Sequence, residues 1–199
     1  MNFIAHVFLA GPEPADRLGG LMGDFVKGLL PAGLPPDLAA GVALHRSIDS
    51  YADRHAAFQR SRERVSPLRR RYAGIMVDMF YDHFLAVRWN EFGEGELAAF
   101  STETYALLQT RRHQLPERLV ELLPAMIRGD WLTSYRNPAD VALALDRMST
   151  RRLSRPNPLA GAAEELLADY AGFEADFRAF LPDAAAFTAT LRATRLASA

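Results

Sequence analysis

Ile75-Met76-Val77-Asp78-Met79-Phe80-Tyr81-Asp82-His83-Phe84-Leu85 is the stretch that decides how this chain folds. Wound at 3.6 residues per turn, its apolar side chains point in every direction, and a helix apolar on all faces belongs in an interior. Asp78 and Asp82, four residues apart, share one face of that helix, with His83 about a hundred degrees around from Asp82. A buried carboxylate is costly unless it is paired or bound to a cation, and two that are neighbours repel. This stretch therefore predicts a helical core with positive charge inside it.

Outward from there the helical spacing persists. Only 20 residues are Val, Ile or Thr, and they rarely cluster, which argues against an extended sheet. Pro36, Pro116, Pro138 and Pro158 suit first-turn positions, with Asn137 and Asn157 as caps before the last two. The pattern predicts helices over about 3–10, 14–29, 36–53, 57–72, 74–92, 95–113, 116–129, 138–152 and 158–180, then a frayed tail after Pro182. The breaks at Pro31 to Pro35, Gly93 to Gly95 and Arg155 to Pro158 are too short for domain linkers. The expectation is an all-α protein: a single compact helical domain of eight or nine helices spanning residues 1–199.

Composition narrows the chemistry. The 199 residues include no cysteine, so disulfides, thiolate nucleophiles and iron–sulfur clusters are excluded, and any metal must be held by His nitrogen and Asp or Glu oxygen. A net charge of -1 makes wholesale attraction to nucleic acid or an anionic membrane an unsuitable main function. No apolar run is long enough to span a bilayer. The N-terminal run 3–10 lacks a basic flank and carries His6, which argues against a secretory signal and for a cytoplasmic protein.

His6, His45, His55 and His83 all fall in the first 83 residues, interleaved with Asp24, Asp49, Asp53, Asp78 and Asp82. His45, Asp49 and Asp53 make one stripe on the helix that begins near Pro36, and Asp78 and Asp82 make a second on a later helix. A divalent cation between the two stripes relieves the repulsion. The competing reading is an ion-pair network in which Arg46, Arg54 or Arg88 neutralises the aspartates. The two i,i+4 pairs together with surplus histidines favour metal.

Asn2-Phe3-Ile4-Ala5-His6, Gly23-Asp24-Phe25, Leu44-His45-Arg46-Ser47-Ile48-Asp49, Asp53-Arg54-His55 and the segment Asp78 to Ala86 occur in the order expected of the acyl carrier protein phosphodiesterase family, which the chain resembles. Trp131 to Tyr135 and Met148 to Arg152 extend the resemblance over most of the chain. Ala56 stands where that pattern has Pro, and Tyr81 where it has Phe. The resemblance implies an all-helical fold similar to the HD group of metal phosphohydrolases, although this chain has Asp82-His83 in place of a His-Asp pair. It implies hydrolysis of the phosphodiester joining 4'-phosphopantetheine to a serine of holo acyl carrier protein, a reaction tied to fatty acid biosynthesis, with Mn²⁺ as the favoured ion. Mg²⁺, Fe²⁺ and Zn²⁺ suit the same donors.

On that resemblance Asp24, His45, Asp49 and Asp78 or Asp82 hold the metal or position water. His6 and His83 are further ligands, or one of them protonates the leaving serine oxygen. Arg46 contacts the phosphate or pairs with an aspartate. Asp53 and His55 orient ligands. Phe25, Tyr81, Phe84 and Trp89 either line a channel for the pantetheine arm or pack in the core. Acyl carrier proteins are acidic, and Arg60, Arg62, Arg64, Arg69, Arg70 and Arg71 form a basic run that suits docking of such a partner. Two other readings remain: an HD-like phosphohydrolase of a nucleotide or small phosphoester, and a non-catalytic helical protein that binds a carrier.

Overall fold

The computed structural model describes residues 2–151 and 157–197. Among them the chain forms no strand and twelve α-helices: α1 (Phe3–Ala10), α2 (Pro14–Met22), α3 (Pro36–Arg54), α4 (Ala56–Arg64), α5 (Ala73–Val87), α6 (Trp89–Phe92), α7 (Leu97–Thr110), α8 (Glu117–Arg128), α9 (Trp131–Ser134), α10 (Pro138–Arg151), α11 (Ala163–Ala168) and α12 (Tyr170–Ala197). The all-α expectation holds, with twelve helices among the described residues where eight or nine were foreseen. No helix among the described residues is long and apolar enough to cross a membrane.

α5 lies where its composition puts it, in contact with α1, α4, α10 and α12. Its Phe80, Tyr81 and Phe84 are fully buried and meet Phe173, Phe177 and Phe180 of α12 in edge-on and tilted ring contacts. Tyr81, Phe84 and Trp89 are thus core residues. Tyr81 directs its hydroxyl to Ser61 Oγ at 3.0 Å, so the polar atom is satisfied inside the core.

α2 and α3 touch backbone to backbone. A Cβ on Gly19 would stand 2.2 Å from the Gly41 carbonyl carbon, and one on Gly41 would stand 2.5 Å from Ala15 O. Only glycine permits that approach. It draws α3 against the end of α2, and the end of α2 leads directly into Asp24.

Several boundaries differ from the periodicity. The segment expected as 14–29 leaves the helix after Met22, and Gly28 takes a left-handed φ of 81° within the loop that follows. The segment expected as 57–72 stops at Arg64, because Pro67 disfavours helical geometry at Ser66, and a short 3₁₀ turn covers Arg70–Tyr72. The segment 74–92 breaks at Arg88, where Arg136 Nε donates to Ala86 O at 3.0 Å and satisfies a carbonyl at the end of α5. Asn137 caps α10 as foreseen by accepting from Ala139 N at 3.0 Å, whereas Asn157 accepts from Leu159 N at 3.2 Å in a turn that precedes α11. The expected helix end at Arg152 and the start of the Arg155 to Pro158 break lie outside the described residues.

The tail after Pro182 is helical to Ala197. A proline inside a helix forfeits one hydrogen bond, and tertiary contacts offset it here. Ala184 and Thr188 are buried, Arg192 Nη1 donates to Leu9 O at 2.6 Å, and Arg195 Nη1 pairs with Asp16 Oδ1 at 2.8 Å. The end of α12 thereby clasps the turn between α1 and α2.

Candidate metal centre

Two helices bring three side chains to a common point. α1 carries His6; α3 carries His45 and Asp49 one turn apart, on one face as their spacing requires. His45 Nδ1 donates to Gly20 O at 2.9 Å, so in the neutral ring the Nε2 lone pair faces outward. It looks at Asp49 Oδ2 at 3.1 Å and Asp24 Oδ1 at 4.0 Å. His6 Nε2 stands 3.1 Å from Asp49 Oδ1, and the two imidazoles stack with centroids 3.8 Å apart. Gly23 makes room for this: a Cβ there would lie 2.1 Å from His45 Cγ.

The electrostatics agree with a cation site. Burial and the neighbouring His45 ring pull the His6 pKa down to about 3, so the ring is a neutral donor near neutral pH. Burial raises Asp49, but the His45 and His6 side chains outweigh it and hold the carboxyl far below the usual range. Neither His6 nitrogen has a partner of hydrogen-bond geometry, despite the 3.1 Å approach to Asp49. An unsatisfied, buried, unprotonated ring nitrogen beside a carboxylate is what a bound cation would satisfy. One donor atom each from His6, His45 and Asp49 lies within 4.8 Å of the others. Adjacent ligands on a cation with bonds of about 2.1 Å stand about 3 Å apart, close to the nitrogen–oxygen distances seen here. The residues present fit a divalent ion.

Asp24 and Asp78 face the same centre from other elements. With Asp49 and Asp53 they line a cavity of about 310 Å³, completed by Asn2, Ala52, Phe58, Gly74, Ile75, Met79 and Met148. Burial lifts the Asp78 pKa, and the Asp49 and Asp24 carboxylates add to that lift. The two acidic rows foreseen from the sequence do converge, through Asp49 on one and Asp78 on the other.

The remaining predicted residues lie elsewhere. Asp82 accepts from Ile4 N at 3.1 Å and from Ala5 N at 3.2 Å, so it holds the first amides of α1, the helix that bears His6. Burial pushes its pKa up to about 7 against those two bonds. His83 Nδ1 donates to Tyr135 O at 2.7 Å and its Nε2 meets the Tyr170 hydroxyl at 3.0 Å, which occupies both nitrogens. Arg46 donates to Val26 O at 3.0 Å and Gly28 O at 2.9 Å, clamping the loop that begins at Asp24 in place of an aspartate. His55 caps α4 by accepting from Ala57 N at 3.2 Å, and its Nε2 lies 3.2 Å from Asp183.

The arginine run divides. Arg60 and Arg64 converge on buried Asp176, each at 2.8 Å, and Arg64 also reaches Asp169 at 2.6 Å. Arg69 joins Glu165 at 3.0 Å and the carbonyls of Pro158 and Ala160. These three cross-link α4 and the turn after it to α11 and α12. Arg62 pairs with Asp53 at 3.3 Å on the cavity lining, while Arg70 donates to Val65 O and is exposed with Arg71. Residue types alone did not reveal Gly19, Gly20, Gly23 and Gly41, which make the close packing possible; four glycines inside or beside helices were the available signal.

Comparison with known proteins identifies the family. A family model described as acyl carrier protein phosphodiesterase matches residues 1–184. The acyl carrier protein phosphodiesterase of Photorhabdus laumondii is 34% identical over 183 residues, covering 92% of this chain and 92% of that protein. Those of Pectobacterium atrosepticum and Escherichia coli O157:H7 are each 32% identical over 183 residues, covering 92% of this chain and 94% of theirs. No solved structure matches the chain. With the match running from α1 into α12 and including every residue that lines the cavity, the chain belongs to the acyl carrier protein phosphodiesterase family.

Proposed function

We propose that this chain, residues 1–199 acting as one helical unit in the cytoplasm, hydrolyses the phosphodiester between 4'-phosphopantetheine and the serine of holo acyl carrier protein. Water adds to phosphorus, the bond from phosphorus to the serine oxygen breaks, and apo carrier and 4'-phosphopantetheine leave. The observation that carries the reading is the His6–His45–Asp49 cluster, with its unsatisfied ring nitrogen, at the end of an acidic cavity.

His6 and His45 would supply two neutral nitrogens and Asp49 one or two oxygens, with Asp24 and Asp78 completing the set. Mn²⁺ is the ion we favour, since oxygen-rich sites with some imidazole suit it. When bound, such an ion neutralises developing phosphoryl charge and lowers the pKa of a coordinated water. The protein's share is orientation. Gly20 O fixes the His45 tautomer, Asp82 holds the start of α1 beneath His6, and Arg46 fixes the loop that presents Asp24. Docking of the acidic carrier falls to Arg70 and Arg71, since Arg60, Arg62, Arg64 and Arg69 are held in ion pairs within the fold.

Incubation with holo carrier and Mn²⁺, followed by intact-mass measurement, tests the reading. The expected result is loss of the whole prosthetic group, abolished by chelator and by Asp49→Ala. An unchanged carrier mass with metal-loaded protein rejects it.

A further inference from the structure

α1 is eight residues long, and a helix shorter than about 12 residues is marginal by itself, so contacts with other elements decide where it stands. It is held at both ends, with His6 between them. At its start Asp82 takes the amides of Ile4 and Ala5. At its end Leu9 O, one of the last-turn carbonyls that the helix itself cannot satisfy, accepts from Arg192 Nη1 at 2.6 Å. Gly11 leaves room for that guanidinium: its φ is 79°, and a Cβ there would stand 2.8 Å from Arg192 Cζ.

Arg195, three residues on and on the same face of α12, takes hold of α2. Its Nη1 and Nη2 donate to the two oxygens of Asp16, a forked pair in which the carboxylate is buried. Asp16 stands one turn ahead of Gly20, where α2 meets both histidines. The Gly20 carbonyl accepts from His45 Nδ1 at 2.9 Å, and a Cβ on Gly20 would stand 3.1 Å from His6 O. Arg192 and Arg195 also line a small cavity of about 150 Å³ with Leu44 and Ser47 of α3, which flank His45 in sequence. One end of α12 therefore touches α1, α2 and α3, the helices that bring His6, Gly20 O and His45 with Asp49 together. The family match ends at residue 184, so the pattern shared with the family does not include either arginine.

We propose that Arg192 and Arg195 are positioning residues for the metal centre: they clamp α1 and α2 to α12 and so fix the His6 ring over His45. Both act through the helices they hold. The consequence for metal rests on the metal-centre reading, since a cation is held tightly only by ligands placed to within about 0.5 Å.

Imidazole nitrogen NMR of the metal-free full-length protein reads the geometry, and Mn²⁺ titration followed by electron paramagnetic resonance reads its consequence. In wild type, Gly20 O should hold His45 as the Nδ1–H tautomer. Arg195→Gln should mix the two tautomers and weaken manganese binding about tenfold, the range that follows loss of a group orienting a ligand. Arg192→Gln breaks a single bond and should shift the His6 ring signals and weaken binding about threefold. It carries the test if Arg195→Gln, which strands a buried carboxylate, fails to fold. Arg178→Gln breaks an ion pair of the same helix with Glu91 and should change neither readout. Mixed His45 tautomers in wild type, or a folded Arg192 or Arg195 variant with wild-type ring signals, overturns the clamp, even where the variant melts earlier. Ring signals altered as much by Arg178→Gln overturn it too. Shifted ring signals with wild-type manganese affinity overturn the positioning role. If wild type takes up no manganese, the metal-centre reading falls and the ring signals alone decide the clamp.

Discussion

His6 is the residue in which chemistry and stability oppose each other. Its ring is buried and carries a pKa of about 3, whereas the unfolded chain binds a proton near 6.5. Between those values the unfolded state holds the extra proton, so stability rises with pH and is lost as pH falls from about 6.5 toward 3. Urea denaturation of chelator-treated protein should show a loss of order 1 kcal/mol per pH unit across that window, and a shallower slope in His6→Gln. Equal slopes would mean that His6 titrates normally. The same burial keeps the ring unprotonated and available as a ligand. The pairing of His45 with Asp49 was legible from four-residue spacing. That His6 stacks on His45 was not, because the two rings are thirty-nine positions apart and meet only when α1 and α3 pack.

At the scale of elements, glycine decides where the helices stand. Gly19→Ala would put a Cβ 2.2 Å from the backbone of Gly41, so α2 and α3 must separate and the His45 bond to Gly20 O must lengthen. Overpacking of this kind costs about 1–3 kcal/mol, and manganese affinity should fall with stability. Gly74→Ala, in the first turn of α5, is the same substitution in open space and should raise stability by about 0.4–1 kcal/mol by restricting the unfolded chain. Chemical denaturation of both variants checks the opposite signs; two destabilised proteins would contradict the close α2–α3 contact as the cause. The fate of Asp82 was hidden for a related reason. A shared face with Asp78 follows from helical periodicity, but the start of α1 docks over Asp82 and takes both carboxylate oxygens.

Across the whole molecule, a chain of net charge -1 keeps its charges in two populations. The acids Glu165, Asp169 and Asp176 draw Arg60, Arg64 and Arg69 into ion pairs that tie residues 60–69 to residues 165–176. Arg70 and Arg71 stay outside, in the turn that leads to Gly74 and Ile75 at the cavity. Arg70→Glu combined with Arg71→Glu should raise KM for holo carrier several-fold at low ionic strength, flatten its salt dependence and leave the denaturation midpoint unchanged. Arg69→Glu should instead lower stability by about 1–3 kcal/mol, since it sets a carboxylate against Glu165. Steady-state kinetics over a salt series, with a melt of each variant, separates the two; a double variant with wild-type kinetics at low salt would remove those arginines from docking.

Residue order by itself determined the helical class, the exclusion of sulfur chemistry, the stripe of His45 and Asp49, and the family, because periodicity, composition and motif order are local properties. Only the tertiary structure decided which acids share a cavity, that Asp82 and His83 serve neighbouring helices, that half of the arginine run is tied up in ion pairs to α11, α12 and the residue between them, and that the chain beyond Pro182 is helical. Those outcomes depend on which helices pack together and how closely, and that follows from backbone contact at Gly19 and Gly41 and from ion pairs spanning about a hundred residues. Helical periodicity places side chains around one axis and carries no information on the distance to the next.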